Sequence, residues 1–149
     1  MSLKTKPNKV FISHYKTIEL PSDYTFISSE NIHSLENNSV GDIFIGDLFD
    51  SMSDDEINKT ISEIFSKIEI GGKLHIQSLD IEQFCIYYLN KIVSTEYKNM
   101  LYSGGKINIQ TMSSMLRLIN SSLRDKYSIF NKKYVNGFNY YIMIEKTNE

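Results

Sequence analysis

At 149 residues the chain has the size of one domain, and 41% hydrophobic with 23% charged residues is the make-up of a globular protein, not a disordered one. A net charge of −2, with the lysines scattered, excludes a chain built mainly to hold nucleic acid, because phosphate neutralisation needs a clustered basic face. The single Cys85 excludes an internal disulfide, one Cys and three dispersed His give no metal-ligand spacing, and no apolar run approaches the roughly 20 residues of a membrane span, so a reducing cytoplasm is the expected location.

The chain reads as a flexible N-terminus over residues 1–8 followed by one domain over 9–146, with no repeat and no linker. Lys9–Ile12 is the first strand, and Thr17–Leu20 and Tyr24–Ile27 are further strand candidates on either side of Pro21. A polar stretch from Ser28 to Ser39 follows. Asp42–Gly46 is a short apolar run of the kind buried on both faces of a parallel sheet.

The clearest element is a helix from Asp54 to Ile68, with Ile57, Ile61, Ile64, Phe65 and Ile68 on one face of a 3.6-residue period. Ser53 and Glu56 form a capping box, Met52 is placed to staple onto Ile57, and three acidic residues sit at the positive end of the helix dipole. Gly71-Gly72 is expected to end this segment by taking the left-handed turn of a helix terminus. Lys73–Ser78 is the next strand, with Leu74 and Ile76 on one side, so strand, helix and strand make a βαβ unit with a right-handed crossover.

A second helix is expected from Asp80 to Val93, burying Ile81, Phe84, Cys85, Tyr88, Leu89 and Ile92. A third runs from Met112 to Leu123 behind Thr111, with Met115, Leu116 and Ile119 inward. The chain closes on a hairpin. Asn136-Gly137 is the preferred two-residue type I′ turn, and Tyr140–Ile144, apolar throughout, belongs inside the sheet. The aromatics from Tyr127 to Tyr141 read as sheet core and hairpin pairing, not as a base-stacking surface.

Asn38–Glu56 aligns without a gap to the "(N)SfDeIyashvLEHlppee" segment of class I S-adenosylmethionine-dependent methyltransferases, in the branch tied to sugar and cell-surface biosynthesis. Ser66–Glu82 resembles the "RVLKPGGrLrIvvPDLE" segment of the same proteins. The resemblance implies a Rossmann-like α/β fold: a mostly parallel sheet, helices on both faces, a C-terminal antiparallel hairpin, and here a truncated N-terminal half. It counts Asp42–Gly46 as the fourth strand. It implies S-adenosylmethionine as cofactor and methyl transfer to a sugar, lipid or other small acceptor.

By that resemblance the cofactor-binding candidates are Ser13 and His14 after the first strand, Glu19 as the acid that bonds the ribose, and Gly46. The family's glycine-rich turn after strand one has no counterpart, since no glycine precedes Gly41. Glycine serves there because the backbone must approach the ligand closely. Weak or absent cofactor binding is therefore expected, and a non-catalytic scaffold acting through a protein partner is the second reading.

Ligands of open α/β sheets bind at the carboxyl ends of the strands, which singles out Asp47 and Asp50 beyond Asp42–Gly46 as catalytic candidates. Asp50 also reads as part of the acidic start of the following helix. His75, inside a strand, reads as a satisfied or surface histidine. Gly71-Gly72 and Gly104-Gly105 are turn residues without a phosphate-loop pattern.

Overall fold

The computed structural model describes residues 8–14, 22–46, 48–90 and 108–149. The strands are β1 (Lys9–Ser13), β2 (Tyr24–Ser28), β3 (Val40–Gly46), β4 (Ile68–Leu79), β5 (Tyr127–Val135) and β6 (Asn139–Lys146). The helices are α1 (Asp54–Lys67), α2 (Ile81–Leu89) and α3 (Met112–Leu123), with short 3-10 turns at Ser29–Ser34 and Leu48–Ser51. All strands join one sheet in the order β2-β1-β3-β4-β6-β5. The first four are parallel; β6 runs antiparallel to β4, and β5 pairs antiparallel with β6 to form the closing hairpin. The expected Rossmann-like arrangement holds.

Along the chain one described strand, β2, lies between β1 and the strand that the resemblance counts as fourth, although those two are neighbours in the sheet. The Thr17–Leu20 candidate lies outside the described residues. The Tyr24–Ile27 candidate is β2, and it pairs in parallel with β1 from Lys9↔Tyr24 to Ser13↔Ser28.

The core lies on one face. Val10, Ile12, Ile43, Ile45, Leu74, Ile76, Ile142 and Ile144 point to it from successive strands, and Ile57, Ile61, Ile64 and Phe65 of α1 close over them. Met115, Ile119 and Leu123 of α3 complete the same cluster, with Leu116 and Met52 packed at its margin. The start of α1 is capped as its sequence requires: Ser53 Oγ accepts from Glu56 N–H, and Glu56 Oε2 accepts from Ser53 N–H at 2.8 Å. The backbone hydrogen bonds and the apolar stripe thus specify the same helix.

The role expected of Gly71-Gly72 is corrected. α1 ends at Lys67 because Ile68 turns extended (φ −78°, ψ 134°) and opens β4 directly. Both glycines lie inside β4, where the register passes from Val40↔Ile68 to Asp42↔Lys73. One residue of β3, Gly41, thus faces a four-residue bulge. Gly71 takes φ +86° within it, and a Cβ on Gly72 would run into the Gly41 carbonyl oxygen and the Ile68 side chain. The glycines allow two backbones to approach, as bulged strands require.

The second helix also differs from its expected face. Of the predicted stripe in α2 only Phe84 is buried; Cys85 is exposed and Leu89 is 78% exposed. α2 does not cross the sheet. It packs with Leu79, Ile109 and Phe138 in a small satellite cluster beside the carboxyl end of β4. Alternation along β4 puts Leu79 on the face away from Ile76, so α2 lies opposite α1 and α3. Residues 91–93 of the expected helix lie outside the described residues, as do Gly104 and Gly105.

At the hairpin tip Asn136 and Gly137 take φ 55° and 79°, left-handed as expected, but Val135 pairs with Asn139, so the loop holds three residues, Phe138 included, and not two. β6 pairs with β4 on one side and β5 on the other, and buries Tyr140, Ile142 and Ile144. β5 is an edge strand, so Phe130 and Tyr134 stand exposed, not in the core as expected of the aromatic C-terminal stretch. The bulge between Ile129 and Asn131 and the lysines at 132 and 133 are the devices that keep an edge from recruiting another strand.

Candidate cofactor and acceptor crevice

The carboxyl ends of β1, β2, β3 and β4 lie at one rim of the sheet. Parallel pairing sets them level: Ser13 is in register with Ser28, Ile12 with Ile45, and Gly46 with Gln77. The residues just beyond these ends are the ones a ligand meets.

His14 follows β1 and spans this rim. Its Nδ1 lies 2.8 Å from Ser29 Oγ beyond β2, and its Nε2 lies 3.0 Å from Ser51 Oγ in the turn after β3. The imidazole has one N–H to donate when neutral, so one of the two serines donates and the other accepts. One exposed side chain therefore clasps three strand ends together. Gly46 makes no close approach of its own; a Cβ there would meet the Phe11 ring at 3.8 Å, an ordinary contact. Glu19 lies outside the described residues. The first acidic residue past β2 is Glu30, exposed in the first turn of the 3-10 segment, with Asn31 Nδ2 donating to Ser28 Oγ at 3.1 Å beside it.

Asp47 also lies outside the described residues. Asp50 is 2% exposed, and its Oδ1 accepts from Ser78 Oγ at 2.9 Å, tying the turn after β3 to the end of β4. Its carbonyl accepts from Asn108 N–H at 2.8 Å. Next to it Asn108 and Gln110 both donate to Asp54 Oδ1, at 2.9 and 3.0 Å. A second buried carboxylate, Asp80, caps α2 by accepting from Gln83 N–H and also accepts from Met112 N–H and the Tyr134 hydroxyl. Burial, and then the Asp80 charge, raise the Tyr134 phenol above its ordinary 10.0. Asp80 thereby joins α2, α3 and β5 in a single knot.

His75 is satisfied on both nitrogens, with Tyr141 Oη at 2.6 Å and Asp42 Oδ1 at 3.2 Å, on the sheet face away from the core. Among the described residues no group of three His, Cys, Asp or Glu is placed to hold a metal, and no helix is long and apolar enough to cross a membrane.

Sequence reasoning singled out His14 and Asp50 but not their partners Ser29, Ser51 and Ser78. Nothing local marks those serines, because the contacts span 15, 37 and 28 residues.

No protein-family model matches the chain, and no curated protein matches its sequence significantly. Solved structures do. A S-adenosylmethionine-dependent methyltransferase of Methanosarcina mazei superposes with TM-score 0.61 at 14% identity, over 97% of this chain and 85% of that one. The fold is that of the class I S-adenosylmethionine-dependent methyltransferases. A possible histamine N-methyltransferase of Thermotoga maritima gives TM-score 0.55 at 16% identity, over 83% of this chain and 64% of that one. Human N-acetylserotonin methyltransferase, in complex with S-adenosylmethionine, gives 0.59 at 12% identity, over 94% of this chain but 40% of its own. The chain thus spans less than two thirds of the Thermotoga and human proteins it resembles.

Proposed function

We propose that the chain is a methyltransferase domain that takes S-adenosylmethionine at the carboxyl ends of β1, β2 and β3 and acts on a small acceptor such as a sugar or lipid. The observation that carries this reading is the His14 clasp. When the imidazole turns aside, the hydroxyls of Ser29 and Ser51 come open at the junction of three parallel strand ends, where Ser13 closes β1 and Glu30 follows Ser29 after β2. Hydroxyls beside an acidic group are a donor set suited to an amino-acid head and a ribose. The residues fit the cofactor, at the cost of the clasp.

That cost sets the affinity. Two hydrogen bonds of about 0.5–1.5 kcal/mol each must be given up, which weakens binding roughly 5- to 150-fold. Weak affinity for the isolated cofactor follows without loss of the site.

When bound, the cofactor supplies an electrophilic methyl group. The chain's own part is to orient the acceptor and receive its proton. Asp47, directly after β3, is assigned as the base. Asp50, buried on Ser78, holds the turn that carries Ser51 and acts as a positioning residue. Nuclear magnetic resonance mapping with S-adenosylhomocysteine tests the proposal. Saturable shifts should cluster on Ser13, Ser29, Glu30 and Ser51. Shifts confined elsewhere, or none at millimolar ligand, would reject the crevice and leave the non-catalytic scaffold, which the missing glycine turn favours.

A further inference from the structure

At the opposite end of the sheet, a cavity of about 240 Å3 opens between the last turns of α1 and α3 and the end of β6. Its wall includes Lys126, Lys146, Asn38, Ser62, Ser122 and Glu149. Lys146 is the unusual member. It is only 4% exposed, and its ammonium donates to three neutral oxygens: Asn38 Oδ1 at 2.7 Å, the Ile68 carbonyl at 2.9 Å and the Phe65 carbonyl at 3.4 Å. The ion pairs among the described residues are Lys9–Asp23 and Asp42–His75, so no carboxylate there closes on this buried charge. Burial pulls the Lys146 pKa below 10.5, and the charge of Glu149 works against that shift.

Asn38 relays between the two charges. Its Oδ1 faces the ammonium while its Nδ2 donates to Glu149 Oε1 at 3.3 Å. Its backbone is pinned at φ 52° with the N–H donating to the Ser66 carbonyl at 2.9 Å. Lys126 and Lys146 bring two positive charges to the cavity wall. The Glu149 side-chain carboxylate, exposed and held by a 3.3 Å bond from Asn38, is the anion that faces them.

We infer that this cavity is a binding site for a small molecule bearing one carboxylate, and that Glu149 occupies the anion position until such a ligand displaces it. The incoming carboxylate accepts from Asn38 Nδ2 and from the Lys126 ammonium, with the Ser62 and Ser122 hydroxyls alongside. The volume is below the roughly 300–1,000 Å3 of sites for drug-sized ligands, so the partner is a short aliphatic or single-ring acid. The site is remote from the crevice and does not depend on what that crevice binds.

Benzoate and its neutral analogue benzamide test this on the full chain, with nuclear magnetic resonance shifts of Asn38 and Ser122 as the readout. Benzoate should give saturable shifts there, and Glu149→Gln should tighten its dissociation constant about tenfold by removing the internal competitor. Adding Lys126→Gln, an exposed position that leaves the core untouched, should weaken it again at least threefold. Benzamide should not saturate. No saturation by benzoate in Glu149→Gln, equal binding of benzamide, or indifference to Lys126→Gln would each overturn the inference.

Discussion

The hydroxyl of Ser78, at the end of β4, donates to the carboxylate of Asp50 at 2.9 Å, with both side chains buried. A charged acceptor enclosed in this way contributes more than a neutral one, and its removal leaves a buried donor without its bond. Asp50→Ala should cost about 1–3 kcal/mol in urea unfolding, and Asp50→Asn, which keeps an acceptor oxygen, should cost less. Equal losses would show that the hydrogen bond does not hold the turn.

Ile61 is fully buried beneath α1, whereas Leu89 of α2 is 78% exposed. Ile61→Ala should therefore cost about 2–5 kcal/mol, as truncation of a core aliphatic does. Leu89→Ala should stay within about 0.5 kcal/mol, the usual range for surface positions. Comparable losses at the two positions would mean that the faces of α1 and α2 are assigned wrongly.

Gly71 and Gly72 separate two causes of strain. At Gly71 a Cβ meets nothing within 4 Å, but the backbone holds φ +86°, so Gly71→Ala should cost about 1–2 kcal/mol from conformation alone. At Gly72 the obstacle is the Gly41 backbone, which cannot rotate away as a side chain can. Gly72→Ala should cost about 1–3 kcal/mol and disturb the Gly41 and Asp42 amides as well. Chemical-shift mapping of the two variants tells the effects apart.

The Ser53 backbone and side chain hold the Glu56 carboxyl below its ordinary 4.5. A carboxylate depressed in the folded state stabilises it above the unfolded pKa, and that contribution is lost as pH falls through the folded value. Stability should therefore decline below about pH 4.5 in the native chain, and Glu56→Gln should remove this part of the decline. Denaturation midpoints of both proteins across the acid range check the sign.

Much of the fold was legible because its signals are local. Ser53 and Glu56 lie three residues apart, Asn136 and Gly137 are adjacent, and the α1 stripe repeats within four turns. The misreadings came from ambiguity of the same signals. A glycine pair after a helix looks the same whether it ends the helix or lets two strands touch, and only the Gly41 backbone decides. The apolar side of α2 matches a helix that crosses a sheet, yet only Phe84 is fully buried and Ile81 and Tyr88 are partly so, because the helix sits at the sheet's end. At the crevice His14 was visible, but its meaning depends on Ser29 and Ser51, brought beside it by parallel pairing that no short window contains.

On the proposed function a cofactor crevice lies at these strand ends, and His14 holds it closed. Calorimetric titration with S-adenosylmethionine of the native chain and of His14→Ala measures this most directly. The expected result is a dissociation constant in the high-micromolar to millimolar range for the native chain, tightened roughly 5- to 150-fold in the variant as two hydrogen bonds cease to oppose binding. Low-micromolar binding by the native chain with no gain in His14→Ala, or no saturable heat from either protein, would contradict it.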